Sequence, residues 1–152
     1  IAAFWRLYEN TIKIASSIQV EISNLMTTIE KTKLALDQSR LSSGDIEVKY
    51  SLLRNKILDL DERVSGNRSK SGPGEKNNPT VSSRLYVVGR IMEYSTYGPT
   101  ETAKEQLELS QKELSSIEDT LDNLDNDLNA LLTVIYNSGG PFIEGKTGSI
   151  TK

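Results

Sequence analysis

The sequence predicts an all-α protein, an antiparallel four-helix bundle with two long and two short helices packed through heptads. Three observations carry this. Apolar residues recur in steps of three and four over most of the chain. No stretch alternates apolar and polar as a half-buried strand does. Glycine and proline cluster at a few places that divide the pattern into four segments. Residues 1–138 are read as the helical domain, with a mobile loop at 67–79, and residues 139–152 as an extended tail.

The last segment shows the pattern best. Leu107, Leu114, Ile117, Leu121, Leu124, Leu128, Leu131 and Ile135 step by 7, 3, 4, 3, 4, 3 and 4, and only Ser110 interrupts the seam. A strand has no use for that spacing, whereas a helix places all these residues on one stripe. Thr102 with Glu105 fits a capping box, in which the acid returns a hydrogen bond to the cap. Pro99 stands just upstream, and Gly139-Gly140-Pro141 is a strong stop.

Residues 2–41 give the other long helix, with Leu7, Ile14, Ile18, Ile22, Leu25, Ile29 and Leu36 as its stripe and Thr11 and Lys33 in the weak places. Ser42-Ser43-Gly44 ends it, and Asp45 opens the second helix. Ile46, Tyr50, Leu53, Ile57, Leu60 and Val64 then point inward, and Gly66 closes. Residues 67–79 contain nothing that can bury a face. Thr80 caps a third helix with Val81, Leu85, Val88 and Met92 inward, and Tyr97-Gly98-Pro99 turns into the fourth. The short helices cannot cover the long ones over their whole length. The expected bare end is where the first helix starts and the fourth finishes, so that Leu7, Ile14, Leu128, Leu131 and Ile135 need cover there.

Composition excludes a good deal of chemistry. The 152 residues contain no Cys and no His. Disulfide frameworks, thiol catalysis, Cys or His zinc sites and every Ser-His mechanism are removed with them. Lys and Arg total 18 against 21 Asp and Glu, a net charge of −3, and no basic stripe with interleaved aromatics suggests nucleic acid. No apolar run approaches the ~20 residues of a membrane span. The chain begins at Ile rather than Met, with no signal peptide ahead of it, and reads as a piece of a longer protein.

Charge is uneven along the chain. Residues 100–137 hold nine acids against Lys104 and Lys112, while residues 67–98 hold five bases against Glu75 and Glu93. Opposed signs favour the third helix lying beside the fourth. Asp125, Asp127 and Asn129 match the first three ligand positions of an EF-hand loop, but Ala130 stands where that loop needs Gly and Tyr136 where it needs Glu. Leu124 and Leu128 keep the heptad unbroken there, so the run reads as a solvated helix face. Asp59, Asp61 and Glu62 flank the inward Leu60 and form no metal site. Ser71-Gly72-Pro73-Gly74-Glu75-Lys76 follows no strand and lacks the spacing of a phosphate loop. Asn67-Arg68-Ser69 is a glycosylation-type triplet, of consequence only in a eukaryotic secretory setting. No catalytic residue, cofactor or metal is expected, and the chain is read as no enzyme.

The aromatics say more. Phe4, Trp5 and Tyr8 crowd the start of the first helix, and Phe142 and Ile143 follow Pro141. In an up-down-up-down bundle these meet at one end, with Tyr136. Two readings are open: a small apolar cap closing that end, or a docking surface for another domain or chain.

Further motifs carry a resemblance. Asn78-Pro79-Thr80 with Leu85 in a short third helix, Tyr97-Gly98-Pro99-Thr100 opening a long Leu heptad, and Gly139-Gly140-Pro141-Phe142 before Glu144-Gly145 resemble the C-terminal helical region of bacterial sortilin-like (VPS10-type) BNR-repeat β-propeller proteins. The resemblance implies an exported bacterial protein, in the periplasm, on the cell surface or secreted, with the propeller upstream. Recognition of glycans or peptides would belong to the propeller. No Asp-box repeat occurs in this chain, so no catalytic or ligand residue carries over. The resulting expectation is a non-enzymatic accessory or interaction domain whose partner is the upstream propeller of the same chain or a second copy. The alternative is a free-standing, self-associating coiled-coil adaptor.

Overall fold

A computed structural model describes residues 2–39, 44–66 and 79–137. The tail with Phe142 and Ile143, the glycine-rich run at 71–76 and the Asn67 triplet lie outside them. The described residues form four helices and no strand: α1 (Ala2–Ser39), α2 (Gly44–Ser65), α3 (Val81–Tyr94) and α4 (Glu101–Asn137). They pack on one another as an all-α helical bundle. The helices of 38 and 37 residues are the two long ones, and those of 22 and 14 the two short ones.

The residues divide into two compact units. Unit 1 joins α1 as far as Val20 with the end of α2 from Leu60, all of α3, and α4 as far as Glu118. Unit 2 joins residues 21–59 with the remainder of α4. In unit 1, α1 and α4 run the same way. Along α1 the chain passes from Tyr8, whose hydroxyl meets Gly89 of α3, to Gln19, whose side-chain amide donates to Ser65 of α2 at 2.8 Å. Along α4 it passes from Gln106, which accepts from Arg84 of α3 at 2.8 Å, to Glu113, which pairs with Arg63 of α2 at 2.8 Å. Between these levels Gln111 donates to Thr11 at 3.4 Å.

The short helices therefore serve different stretches of the long ones: α3 lies against the first half of α1 in unit 1, and α2 against its second half in unit 2. This corrects the expectation of a bare end shared by the start of α1 and the finish of α4. The start of α1 is packed on α3, and the finish of α4 belongs to unit 2.

The seams follow the heptads. All eight aliphatic residues assigned to the α4 seam are buried, as are the six of α2 and Val81, Leu85 and Val88 of α3, with Met92 at the edge. The stripe of α1 needs a correction. Its buried seam runs Thr11, Ala15, Ile18, Ile22, Leu25, Ile29, Thr32 and Leu36, in steps of 4, 3, 4, 3, 4, 3 and 4, with Thr28 buried beside it. Continued backwards, this phase reaches Tyr8 and Phe4, both half-buried. Leu7 and Ile14 fall one residue out of phase, rotated about 100° from Tyr8 and Ala15, and are 45% and 44% exposed. Lys33 is likewise outside the core, bonded to Asp37 at 3.1 Å. Three hydroxyls sit in the seams without a buried polar cost, because each donates to a carbonyl one turn back: Thr11 to Leu7 at 2.7 Å, Thr32 to Thr28 at 2.8 Å and Ser110 to Gln106 at 2.9 Å.

The helix ends are built as their sequences allow. Gly66 takes φ +82°, the left-handed region that glycine enters without a Cβ clash, and its N–H donates to the Glu62 carbonyl at 2.9 Å. Thr80 caps α3 in a reciprocal box with Ser83. The cap of α4 is Thr100, whose Oγ1 accepts from the Ala103 N–H at 3.1 Å, so the expected box of Thr102 with Glu105 does not form. Both residues lie inside the first turns instead. Gly98, at φ +103°, with the Ser95 hydroxyl bonded to its carbonyl, makes the turn between α3 and α4.

Candidate interaction surface

The residues singled out at the start of the chain do lie together. Phe4 and Tyr8 occupy the first two seam positions of α1, while Trp5 stands beside them and is 41% exposed. The Trp5 and Tyr8 rings are 5.4 Å apart between centroids and tilted by 44°, a separation at which aromatic pairs attract. The tip of Tyr8 rests on bare helix backbone. A Cβ built on Gly89 would lie 2.5 Å from the Tyr8 hydroxyl and 3.4 Å from its Cζ. Any other residue at that point of α3 would have to push the ring away.

On either side of Gly89 in sequence, α3 carries an aromatic face. Tyr86, Arg90 and Tyr94 are four residues apart, so they stack along one side of the helix, away from the buried Leu85 and Val88. The Arg90 guanidinium lies 6.0 Å from the centre of the Tyr86 ring and 5.1 Å from that of Tyr94. These are cation–π distances, and they hold a planar cation between two exposed rings. Tyr97, in the turn that follows, is 97% exposed.

Of the other assigned residues, Tyr136 is partly exposed and belongs to unit 2, so the structure does not gather it into the unit that holds Phe4, Trp5 and Tyr8. Phe142 and Ile143 lie outside the described residues. Sequence reasoning missed Tyr86, Arg90 and Tyr94. Their four-residue spacing, opposite the inward Val81, Leu85 and Val88, was the available signal.

The acidic run on α4 is helical throughout. Asp122 and Asp127 are exposed, and Asp125 is half-buried with one carboxylate oxygen shielded and without a partner. Among the described residues, no three His, Cys, Asp or Glu side chains are placed to hold a metal ion. The basic third helix does lie beside the acidic fourth, but the contact is between Arg84 and the neutral Gln106. No helix among the described residues is long and apolar enough to cross a membrane.

Burial pushes the Tyr8 hydroxyl above its ordinary pKa of 10.0, because the phenolate would lose solvation. The folded-state value then exceeds the unfolded one. The corresponding stability is fully present below pH 10 and is lost as the pH rises through the folded value. Urea titrations between pH 8 and 11.5 should show stability falling above pH 10, and Tyr8→Phe should reduce that fall. An identical slope in the variant would show that folding does not bury the Tyr8 hydroxyl.

Comparison of the chain with protein-family models, curated proteins and solved structures finds no match. The functional reading therefore rests on the residues.

Proposed function

We propose that the chain is a non-enzymatic helical accessory domain of a larger extracytoplasmic bacterial protein of the sortilin-like β-propeller type, and that it docks on another part of that protein. The observation that carries the docking role is the surface of unit 1. Tyr8, paired with Trp5, rests on Gly89, and Arg90, the next residue of α3, is held between Tyr86 and Tyr94. Trp, Tyr and Arg are the side chains that most often dominate binding energy at protein interfaces. Rings whose positions are already fixed lose little freedom on binding. The propeller parentage rests on the resemblance of the Asn78-Pro79-Thr80, Tyr97-Gly98-Pro99-Thr100 and Gly139-Gly140-Pro141-Phe142 motifs.

The experiment compares the isolated 152-residue chain with the full-length parent. Trp5 emission should be solvent-shifted in the isolated chain and blue-shifted in the parent. In a pull-down of the upstream region, Trp5→Ala and Arg90→Ala should each weaken capture by about 30-fold, the loss of a hot-spot residue worth about 2 kcal/mol. Circular dichroism should confirm that both variants remain helical. Capture that survives both substitutions would refute docking through this surface. Association of the isolated chain with itself, lost in the same variants, would instead favour the self-associating adaptor.

A further inference from the structure

Unit 2 carries two surfaces that the docking reading does not use, and they complement each other. The first is a cleft of about 270 Å³ between α2 and α4. Leu53 and Leu131, both buried, form its floor. Leu52, 56% exposed, stands on the α2 rim between Lys49 and Lys56, and Asp127 and Val134 stand on the α4 rim. The second surface is the outward face of α1, where Leu34 is 59% exposed. Glu30 and Asp37, four residues before Leu34 and three after it, fall on one flank, and Lys31, three before, falls on the other. All three are exposed.

We infer that the cleft takes the Leu34 face of α1 from a second copy of the chain. Heading and register follow from positions along the helices. Lys49 and Lys56 each precede a seam residue, Tyr50 and Ile57, just as Asp127 and Val134 precede Leu128 and Ile135. Two neighbouring helices that turn the same side of their seams toward each other run antiparallel. With Leu53 and Leu131 sharing the floor, Asp127 therefore stands at the Lys56 end of the cleft and Val134 at the Lys49 end.

Charge then selects the occupant. An α-helix is handed, so a second α1 laid in the cleft with Leu34 downward turns its acidic flank to α2 in one heading only, antiparallel to α2. In that heading Glu30 comes to Lys56, Asp37 to Lys49 and Lys31 to Asp127, while Leu34 lies level with Leu52 and Leu53. Reversed, the acids would meet Asp127 and Lys31 would meet the lysines. The acids and the lysines are each seven residues apart, about 10.5 Å along the axis, so both pairs can form at once. The chain itself thus supplies the complement to all three charges on the rims. The pairs these groups already make, Lys33 with Asp37 at 3.1 Å and Lys49 with Asp45 at 3.7 Å, lie within single helices at the surface and yield at little cost. Cleft and Leu34 face are different surfaces, so the contact is head-to-tail: each copy gives its α1 to one neighbour and its cleft to another.

The test follows the average mass of the whole chain by sedimentation equilibrium from about 10 μM to about 1 mM, the range of a small contact. The mass should rise with concentration, and rise less at high salt. Leu34→Asp and Leu52→Asp, both at exposed positions, should each stay monomeric without loss of helicity. Mixed, they should form a one-to-one pair, because the first keeps its cleft and the second its Leu34 face. Lys49→Glu/Lys56→Glu and Glu30→Lys/Asp37→Lys should each weaken association at least about tenfold, and mixing these two variants should restore it. A chain that stays monomeric throughout would overturn the inference. So would association that survives either leucine variant, or leucine variants that do not pair when mixed. Association that emerges only after removal of residues 138–152 would overturn it as well, by showing that the chain's own tail fills the cleft. None of these readouts involves Trp5 or Arg90, so the inference and the docking role of unit 1 can fail separately.

Discussion

Leu128→Ala and Leu121→Ala should each lower the unfolding free energy by about 2–5 kcal/mol, the usual cost of truncating a buried leucine. Leu128 is 1% exposed and Leu121 4%. Both lie in the second half of α4, in the part that unit 2 shares with α1 and α2. Asp122→Ala, on the exposed side of the same turns, should stay within about 0.5 kcal/mol. Asp125→Ala should be neutral or stabilising, since it removes a shielded carboxylate oxygen that has no partner. Urea titration of the four variants separates the faces of the helix. An aspartate change more damaging than a leucine change would place the seam on the wrong side.

Gly89 should give the next largest effect, and an unusual one. Replacing a helical glycine by alanine ordinarily stabilises by about 1 kcal/mol. Here the new methyl would lie 2.5 Å from the Tyr8 hydroxyl, so Gly89→Ala should gain nothing and Gly89→Val should cost about 1–3 kcal/mol. In the Tyr8→Phe background the nearest remaining atom is Cζ at 3.4 Å, and Gly89→Ala should recover its ordinary gain. A double-mutant cycle should thus show a coupling of about 1 kcal/mol. Equal effects of Gly89→Ala in both backgrounds would remove the contact between α1 and α3 on which the surface of unit 1 depends.

These two sites also differ in how plainly the sequence marks them. The α4 seam was legible because every inward position but Ser110 and Ala103 is a large aliphatic, so size and phase agree. In the first half of α1 they disagree. Leu7 and Ile14 are the larger aliphatics, but joining them through Thr11 to Ile18 and Ile22 places two steps of four in succession. The helix keeps its regular phase through Tyr8 and Ala15. Threonines that bond back to their own helix can occupy a core, which disguises the stripe further. Heptads carry no direction, so the common heading of α1 and α4 in unit 1 was not legible, and with it went the placement of Tyr136. The cation held by Tyr86 and Tyr94 was hidden for a related reason: inward periodicity says nothing of the residues that face outward.

The division of α1, α2 and α4 between the two units has a consequence for the integrity of the chain. Suppose the backbone were severed between Gly66 and Pro79. One piece would hold α1 and α2, the other α3 and α4. Neither would contain a whole unit, because unit 1 draws on α1 and α4 alike, and so does unit 2. Each piece would expose half of two cores and match the half that the other exposes. Restoring either unit would therefore require both pieces.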